Sequence, residues 1–253
     1  MLSRRRFLAS LLALCAGVTR AQAAAQLTVS AAASLTDVMR ELGKRFEERN
    51  ANILVRFNFG ASGALLQQIA NGAPVDVFVS ADEDTVERGI AQKVLASDTR
   101  REIATNSLVL VTPNDAQRLT SLAGLTDDAI KRIAIGKPVT VPAGRYAQQA
   151  LQTAGLWTTL VARLVYADNV RQVLDYVSRG EVDAGFVYAT DAALMRDRVR
   201  VATIVEGHSP IRYPAIVTAD TRRHDLAVAF IDFLRTREAR DRFVAVGFGP
   251  PGQ

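Results

Sequence analysis

Short apolar runs alternate with apolar residues at helical spacing along most of this chain. The run from Leu27 to Val29 predicts a buried strand. Apolar residues three and four positions apart then predict a helix packed on a sheet: Leu35, Val38, Met39, Leu42 and Phe46. The same succession recurs with strands predicted at 53–59, 133–135, 164–166 and 185–188. Alternating strands and helices indicate an α/β protein with doubly wound sheets.

Small and hydroxyl-bearing residues occupy the turns that join these strands to their helices. Ser34 stands at a predicted helix N-cap with Asp37 at capping-box spacing, and further caps are predicted at Asp168-Asn169 and at Thr190. Helix N-termini present unpaired N–H groups and the positive end of the helix dipole. Turns at the carboxyl ends of parallel strands share one edge of a sheet, so several N-termini would converge on one crevice. This arrangement favours a small, desolvated oxyanion.

Residues 1–25 are predicted to form a cleaved export signal. A basic start precedes the apolar stretch Phe7–Val18, and A-x-A motifs place cleavage after residue 23 or 25. The apolar stretch is too short to span a membrane as a helix. The segment Ser3–Leu8 fits the twin-arginine pattern, and an ordinary Sec signal is the alternative that the sequence leaves open. The mature protein is therefore expected in the periplasm.

Removing this signal changes the charge and the cysteine content of the chain. The net charge of +5 includes four signal arginines, so the mature protein carries about +1. Nucleic-acid binding is not predicted, because a protein that binds nucleic acid keeps its basic charge after processing. Cys15, the single cysteine, lies in the signal. The mature chain therefore has no disulfide, thiolate metal site or thiol nucleophile.

The remaining titratable candidates do not indicate a metal or a cofactor. His208 and His224, the two histidines, share no ligand spacing with each other or with a carboxylate cluster, and both are expected to face solvent. Asp76 and Asp82 in the segment VDVFVSAD could suggest a catalytic or metal site, but a helix cap and a sheet-end hydrogen bond are the favoured roles for the two.

Two long extended stretches interrupt the alternation of strands and helices. Ser107–Pro113 and Tyr213–Thr218 are interpreted as paired strands that cross between two lobes. Lobe 1 is then predicted to comprise residues 26–107 with 213–253, and lobe 2 residues 108–212. Two lobes connected in this way could close around a ligand.

Seven segments, in this order along the chain, resemble the periplasmic molybdate-binding proteins of bacterial ABC importers: VSAAASLTDVM, FGASGALLQQIANGAPVDVFVSAD, NSLVLVTP, VPAGRYAQQAL, ADNVRQVLDYV, GFVYATDA and YPAIVT. The resemblance covers almost the whole mature chain. It implies the type II periplasmic-binding-protein fold, in which a two-strand hinge joins two doubly wound α/β lobes.

The resemblance also implies a ligand site. In that family two serine hydroxyls, two backbone N–H groups and a tyrosine hydroxyl hold a tetrahedral anion. The matching positions here are Ser34, Ser62, Ala143, Val170 and Tyr188. None of the five is acidic, which favours plain tetrahedral coordination.

The expected ligands are molybdate and tungstate, which have the same charge and similar size. The expected partner is the membrane permease of an ABC-type importer, and the protein is expected to act as a monomer without a cofactor or catalytic residue.

Two other classes of function fit the sequence less well. A secreted serine hydrolase would need the pattern G-x-S-x-G, but Ala64 follows Gly63 in the segment GASGA. A binder of the same fold could instead take sulfate, thiosulfate, an amino acid or ferric ion. Amino-acid binders place an arginine against the carboxylate, and iron binders use paired tyrosines, and neither feature occurs among the five positions.

Overall fold

The computed structural model describes residues 25–116 and 118–252. These residues form ten strands: β1 (Ala25–Ala32), β2 (Ile53–Gly60), β3 (Val77–Val79), β4 (Arg101–Asn106), β5 (Leu108–Pro113), β6 (Ile133–Gly136), β7 (Leu164–Ala167), β8 (Ala184–Tyr188), β9 (Val199–Ile204) and β10 (Ile211–Val217).

The same residues form nine α-helices: α1 (Thr36–Arg49), α2 (Ser62–Ala70), α3 (Glu83–Ala91), α4 (Pro142–Thr153), α5 (Trp157–Leu160), α6 (Val170–Ser178), α7 (Ala189–Leu194), α8 (His224–Leu234) and α9 (Arg237–Ala245). Within the part of the chain that the structure describes, no helix is both long and apolar enough to cross a membrane. The predicted signal lies outside that part, except for Ala25 in β1.

Two five-stranded sheets repeat one topology. The first has the order β2-β1-β3-β10-β4 and the second β7-β6-β8-β5-β9. In each sheet the first three strands are parallel, and the last two run antiparallel to their neighbours. The sheets confirm the predicted α/β fold of two doubly wound lobes.

Helices bury the central strands of both sheets. Leu27 and Val29 in β1 have no exposed surface, and the same holds for Ile133 and Ile135 in β6. Apolar runs of this kind are typical of parallel strands that are covered on both faces. The carboxyl ends of these strands are thereby fixed relative to the helices that follow them.

The predicted crossing strands do not pair with each other. Ser107–Pro113 corresponds to β5, which lies in the second sheet between β8 and β9, whereas Tyr213–Thr218 corresponds to β10 in the first sheet. An extended apolar run predicts a strand but does not identify its partner. The chain crosses between the sheets at Ser107 and again at residues 205–210, and sequence analysis missed the strand β4 that precedes the first crossing.

The predicted helix caps are partly right. Of the predicted capping pair Asp168-Asn169, Asn169 caps α6 by accepting a hydrogen bond from the N–H of Gln172. Ser34 lies inside a short 3-10 turn before α1 and makes no cap bond, and Thr190 is the second residue of α7. Both hydroxyls bond across the structure instead, which local spacing does not reveal.

We expect Gly144→Ala to destabilise the fold strongly. A β-carbon at Gly144 would lie 1.8 Å from the carbonyl oxygen of Gly136, so helix α4 would have to move away from strand β6. The expected loss in the free energy of unfolding is about 3 kcal/mol, at the upper end for an overpacked core. Urea unfolding measures it, with Gly60→Ala as the control because its β-carbon would make only an ordinary 3.4 Å contact with Leu65. Equal losses in the two variants would contradict the expected clash.

Candidate functional site

A small cavity lies where the carboxyl ends of several strands meet the N-termini of α2, α4 and α6. Its volume is about 210 Å³ when the open space at its mouth is included. Its walls come from both halves of the molecule, at residues 32–34, 60–62, 81, 141–143, 169–170 and 188. All five predicted site residues line this one cavity, and no lining residue is charged.

Ala143 and Val170 line the cavity at helix N-termini. The first N–H groups of an α-helix have no partner within the helix. Pro142 is the first residue of α4 and has no N–H, so the N–H of Ala143 is the first donor of that helix. Val170 is the first residue of α6, directly after the cap Asn169. Backbone donors at two helix termini therefore border the same space.

Ser62 presents a hydroxyl whose hydrogen is free. The residue is fully buried, and its Oγ accepts a hydrogen bond of 3.0 Å from the N–H of Ala81. That N–H can only donate, so the hydroxyl hydrogen of Ser62 remains available for another acceptor. Ser62 is the first residue of α2 and makes no cap bond. Its hydroxyl is therefore a donor at the cavity wall rather than a helix cap.

Tyr188 brings a second such hydroxyl from the end of β8. The side chain is 1% exposed, and its Oη has no hydrogen-bond partner within residues 25–116 and 118–252. A buried polar group without a partner costs about 1–3 kcal/mol, so such groups are rare and in most proteins find a partner in a bound water, ion or ligand. Burial also raises the pKa of Tyr188 well above its usual value. The hydroxyl therefore stays protonated at neutral pH.

Ser34 contributes the third hydroxyl from the turn after β1. It is 3% exposed, and its Oγ lies 3.1 Å from the Oη of Tyr213 in β10. Its carbonyl oxygen accepts a 3.2 Å hydrogen bond from Arg171. Both contacts hold the Ser34 turn against residues that are far away in sequence.

Arg171 is a functional candidate that sequence analysis missed. Its Nε donates to Asp191 at 2.6 Å, and its Nη2 donates to Asp37 at 2.9 Å and to the Ser34 carbonyl. Asp37 and Ser34 belong to the first sheet's half of the molecule, whereas Arg171 and Asp191 belong to the second. An arginine on a helix usually indicates a solvent-facing side. The only feature of the sequence that pointed to a role for Arg171 was its neighbour Val170, a predicted ligand residue. The arginine connects the two halves directly behind the cavity.

Further contacts join the two halves across the cleft. The N–H of Gly63 donates to the carbonyl of Thr140 at 2.9 Å, and the hydroxyl of Tyr146 donates to the carbonyl of Ala81 at 3.3 Å. The guanidinium of Arg145 lies 3.1 Å from the carboxylate of Asp82. The two halves therefore touch on several sides of the cavity.

Asp76 and Asp82 have structural roles of the two predicted kinds, whereas only one of the two histidines lies as predicted. Asp82 caps α3, and Asp76 accepts a 2.8 Å hydrogen bond from the N–H of Thr28 at the sheet end. His224 is exposed as predicted, but His208 is only partly exposed because its ring packs 5.4 Å from that of Tyr146. Among the described residues, no group of three or more His, Cys, Asp or Glu side chains is placed to hold a metal ion.

Comparisons with known proteins match nearly the whole chain. The profile of the family described as bacterial extracellular solute-binding protein matches residues 27–249. The molybdate-binding protein ModA of Escherichia coli is 35% identical, over 88% of this chain and 88% of its own length. That of Haemophilus influenzae is 34% identical, over 89% and 91%. The solved periplasmic molybdate-binding protein of Azotobacter vinelandii is 28% identical, with a TM-score of 0.78, covering 89% of this chain and 100% of that one.

We expect Asp191 to make stability depend on pH. Complete burial raises the pKa of its carboxyl to about 6, although Arg171 opposes the shift. The folded protein then binds this proton more tightly than the unfolded chain, so the carboxyl stabilises the fold as the pH falls from about 7 to 5, and this gain is lost as the pH rises through 6. Relative to Asp191→Asn, wild type should gain about 1 kcal/mol in the free energy of unfolding over this range. Urea unfolding at both pH values measures it, and parallel pH profiles of the two proteins would contradict the assignment.

Proposed function

Because the chain belongs to the bacterial extracellular solute-binding proteins, we propose that it binds molybdate or tungstate in the cleft between its two lobes and delivers the anion to the membrane permease of an ABC importer. The family is one of transport binding proteins rather than enzymes. The proposed ligand residues are Ser34, Ser62, Ala143, Val170 and Tyr188.

One observation carries this proposal above the others. Three buried hydroxyls, of Ser34, Ser62 and Tyr188, line a single small cavity together with the helix N-termini at Ala143 and Val170. The hydroxyl of Tyr188 lacks a partner within the described residues, and that of Ser62 has a hydrogen to spare. A cavity lined by donors and by no charged side chain suits a fully deprotonated oxyanion.

Neutral donors are sufficient for tight binding. A hydrogen bond to a charged group contributes roughly 1.5–3 kcal/mol net, so five contribute on the order of 8–15 kcal/mol. Micromolar affinity requires only about 8 kcal/mol, which leaves the remainder to offset desolvation of the anion and closure of the lobes. The site therefore does not need an arginine in contact with its ligand.

The same donors discriminate between anions. Monohydrogen phosphate carries a proton that needs an acceptor, and a donor facing a donor is costly in a buried site. Sulfate has the right charge but shorter bonds, so donors spaced for a larger anion would not reach it. Tungstate matches molybdate in both respects, and the site is proposed to accept either.

The lobes and the export route are part of the proposal. We assign residues 26–107 with 213–253 to lobe 1 and residues 108–212 to lobe 2, and the strand content of the two sheets supports this division except that β10 of the first sheet begins at Ile211. The protein is proposed to be exported to the periplasm by its N-terminal signal, which is then cleaved, and to act there as a monomer. Cleavage after residue 23 is favoured over residue 25, because Ala25 belongs to β1 and its N–H bonds to the carbonyl of Asn52.

Calorimetric titration of the mature protein tests the ligand. We expect one molybdate or tungstate per chain, with sulfate and phosphate bound at least about a hundredfold more weakly, a difference of roughly 3 kcal/mol or more. Sulfate affinity comparable to that of molybdate would contradict the molybdate assignment. It would favour the alternative, a binder of the same fold for sulfate or thiosulfate.

Tyr188→Phe tests the tyrosine hydroxyl. The substitution keeps the buried ring and removes one donor to a charged ligand, so molybdate binding should weaken by roughly 1–3 kcal/mol. Tyr166→Phe is the matched control, because Tyr166 lies in the parallel strand β7 of the same sheet but is 43% exposed and does not line the cavity. If both variants bind molybdate as wild type does, Tyr188 packs the core and does not contact the ligand.

A further inference from the structure

A chain of hydrogen bonds runs from the crossing between the two sheets to the Ser34 hydroxyl. Asn106, the last residue of β4, donates from Nδ2 to the Oη of Tyr213 at 3.2 Å. Tyr213 in turn lies 3.1 Å from the Oγ of Ser34. Tyr213 has no exposed surface and does not line the cavity. It therefore stands behind the site rather than in it.

The amide of Asn106 has only one orientation that satisfies its neighbours. The N–H of Ser107 lies 2.9 Å from Oδ1 of Asn106, and a backbone N–H can only donate. Oδ1 is therefore the acceptor, and Nδ2 faces the other way. Its two hydrogens reach Tyr213 and, at 2.9 Å, the hydroxyl of Thr190 in α7. Every hydrogen of this amide is accounted for.

The direction of the remaining bonds follows from this amide. The oxygen of Tyr213 accepts from Asn106, so its own hydrogen needs an acceptor. Within the part of the chain that the structure describes, Ser34 Oγ is the acceptor within reach. A buried phenol without an acceptor would cost about 1–3 kcal/mol, so Tyr213 donates to Ser34. The hydroxyl hydrogen of Ser34 is then left for the cavity.

We propose that Tyr213, oriented by Asn106, is a positioning residue that fixes the Ser34 hydroxyl as a donor and thereby helps the site select fully deprotonated oxyanions. The inference rests on the proposed oxyanion function and names residues that do not touch the ligand. The Ser62 hydroxyl is likewise oriented as a donor, because its oxygen accepts a hydrogen bond from the backbone N–H of Ala81. Chains of hydrogen bonds also polarise one another, so donation from Ser34 is strengthened.

The proposal has a specific consequence for protonated anions. While the Ser34 oxygen accepts a hydrogen bond from Tyr213, its hydroxyl hydrogen points into the cavity. A monohydrogen phosphate bound there would have its own proton facing that hydrogen, donor against donor. Without the Tyr213 hydroxyl, Ser34 is free to rotate and to accept that proton. Loss of the Tyr213 hydroxyl should therefore weaken molybdate binding and raise the affinity for phosphate relative to that for molybdate. A purely structural role of Tyr213 would weaken both anions alike.

A double-mutant cycle on the mature protein tests the relay. Molybdate and phosphate are titrated into wild type, Tyr213→Phe, Ser34→Ala and the double variant. We expect Tyr213→Phe to weaken molybdate about fivefold to tenfold and to lower the molybdate-to-phosphate affinity ratio. Ser34→Ala weakens molybdate binding by some factor in wild type. In the Tyr213→Phe background this factor should be at least about fivefold smaller, because the Ser34 hydroxyl no longer points at the ligand there. If the two substitutions weaken molybdate binding independently, or if Tyr213→Phe leaves the molybdate-to-phosphate affinity ratio unchanged, the proposal is overturned.

The second serine supplies the matched control. Because a backbone N–H orients Ser62, Ser62→Ala should weaken molybdate by the same factor with and without the Tyr213 hydroxyl. If Tyr213→Phe does not fold, Asn106→Leu repeats the cycle from the other end of the chain, with the same expected coupling to Ser34. If wild type binds sulfate instead of molybdate, the ligand assignment fails, and the same cycle with sulfate still decides on the relay. Wild type that binds neither anion overturns both.

Discussion

The structure depends on burying hydroxyl groups whose hydrogens the protein itself does not use. In an ordinary core such groups are paired, because an unpaired one costs about 1–3 kcal/mol. Here Tyr188 has no partner among the described residues, and Ser62 is an acceptor whose hydrogen remains free. An anion that accepts hydrogen bonds from these hydroxyls removes the free-energy cost of leaving them unpaired. Binding and stability are therefore linked at the same few atoms.

The repeated topology explains how these groups come to one place. Each half of the molecule has three parallel strands whose carboxyl ends face the cleft, and each contributes helix N-termini there. Neither half alone surrounds the cavity, since its walls come from both. Arg171 and Arg145 then tie the second half to carboxylates of the first, at Asp37 and Asp82. The charged contacts surround the site while its lining stays neutral.

Local patterns in the sequence predict the features of the fold that depend on neighbouring residues. The strand-then-helix periodicity predicted most parallel strands, and the spacing at Asn169 predicted a true cap. The five residues of the resemblance line one cavity, but their contact with a ligand stays a prediction. The sequence did not predict the partners of β5 and β10, because pairing between distant strands has no local signal. The hydrogen bond between the hydroxyls of Ser34 and Tyr213 was not predicted for the same reason, since the two residues are 179 positions apart.

The contact between Gly63 and Thr140 limits how far the two halves can approach. They meet there backbone to backbone, and a β-carbon on Gly63 would lie 2.8 Å from the Cα and carbonyl oxygen of Thr140. Because Gly63 has no side chain, the two halves come within backbone hydrogen-bonding distance at this contact. Any larger residue here would hold the halves apart, so the close approach on this side of the cleft depends on a residue that has no functional group of its own.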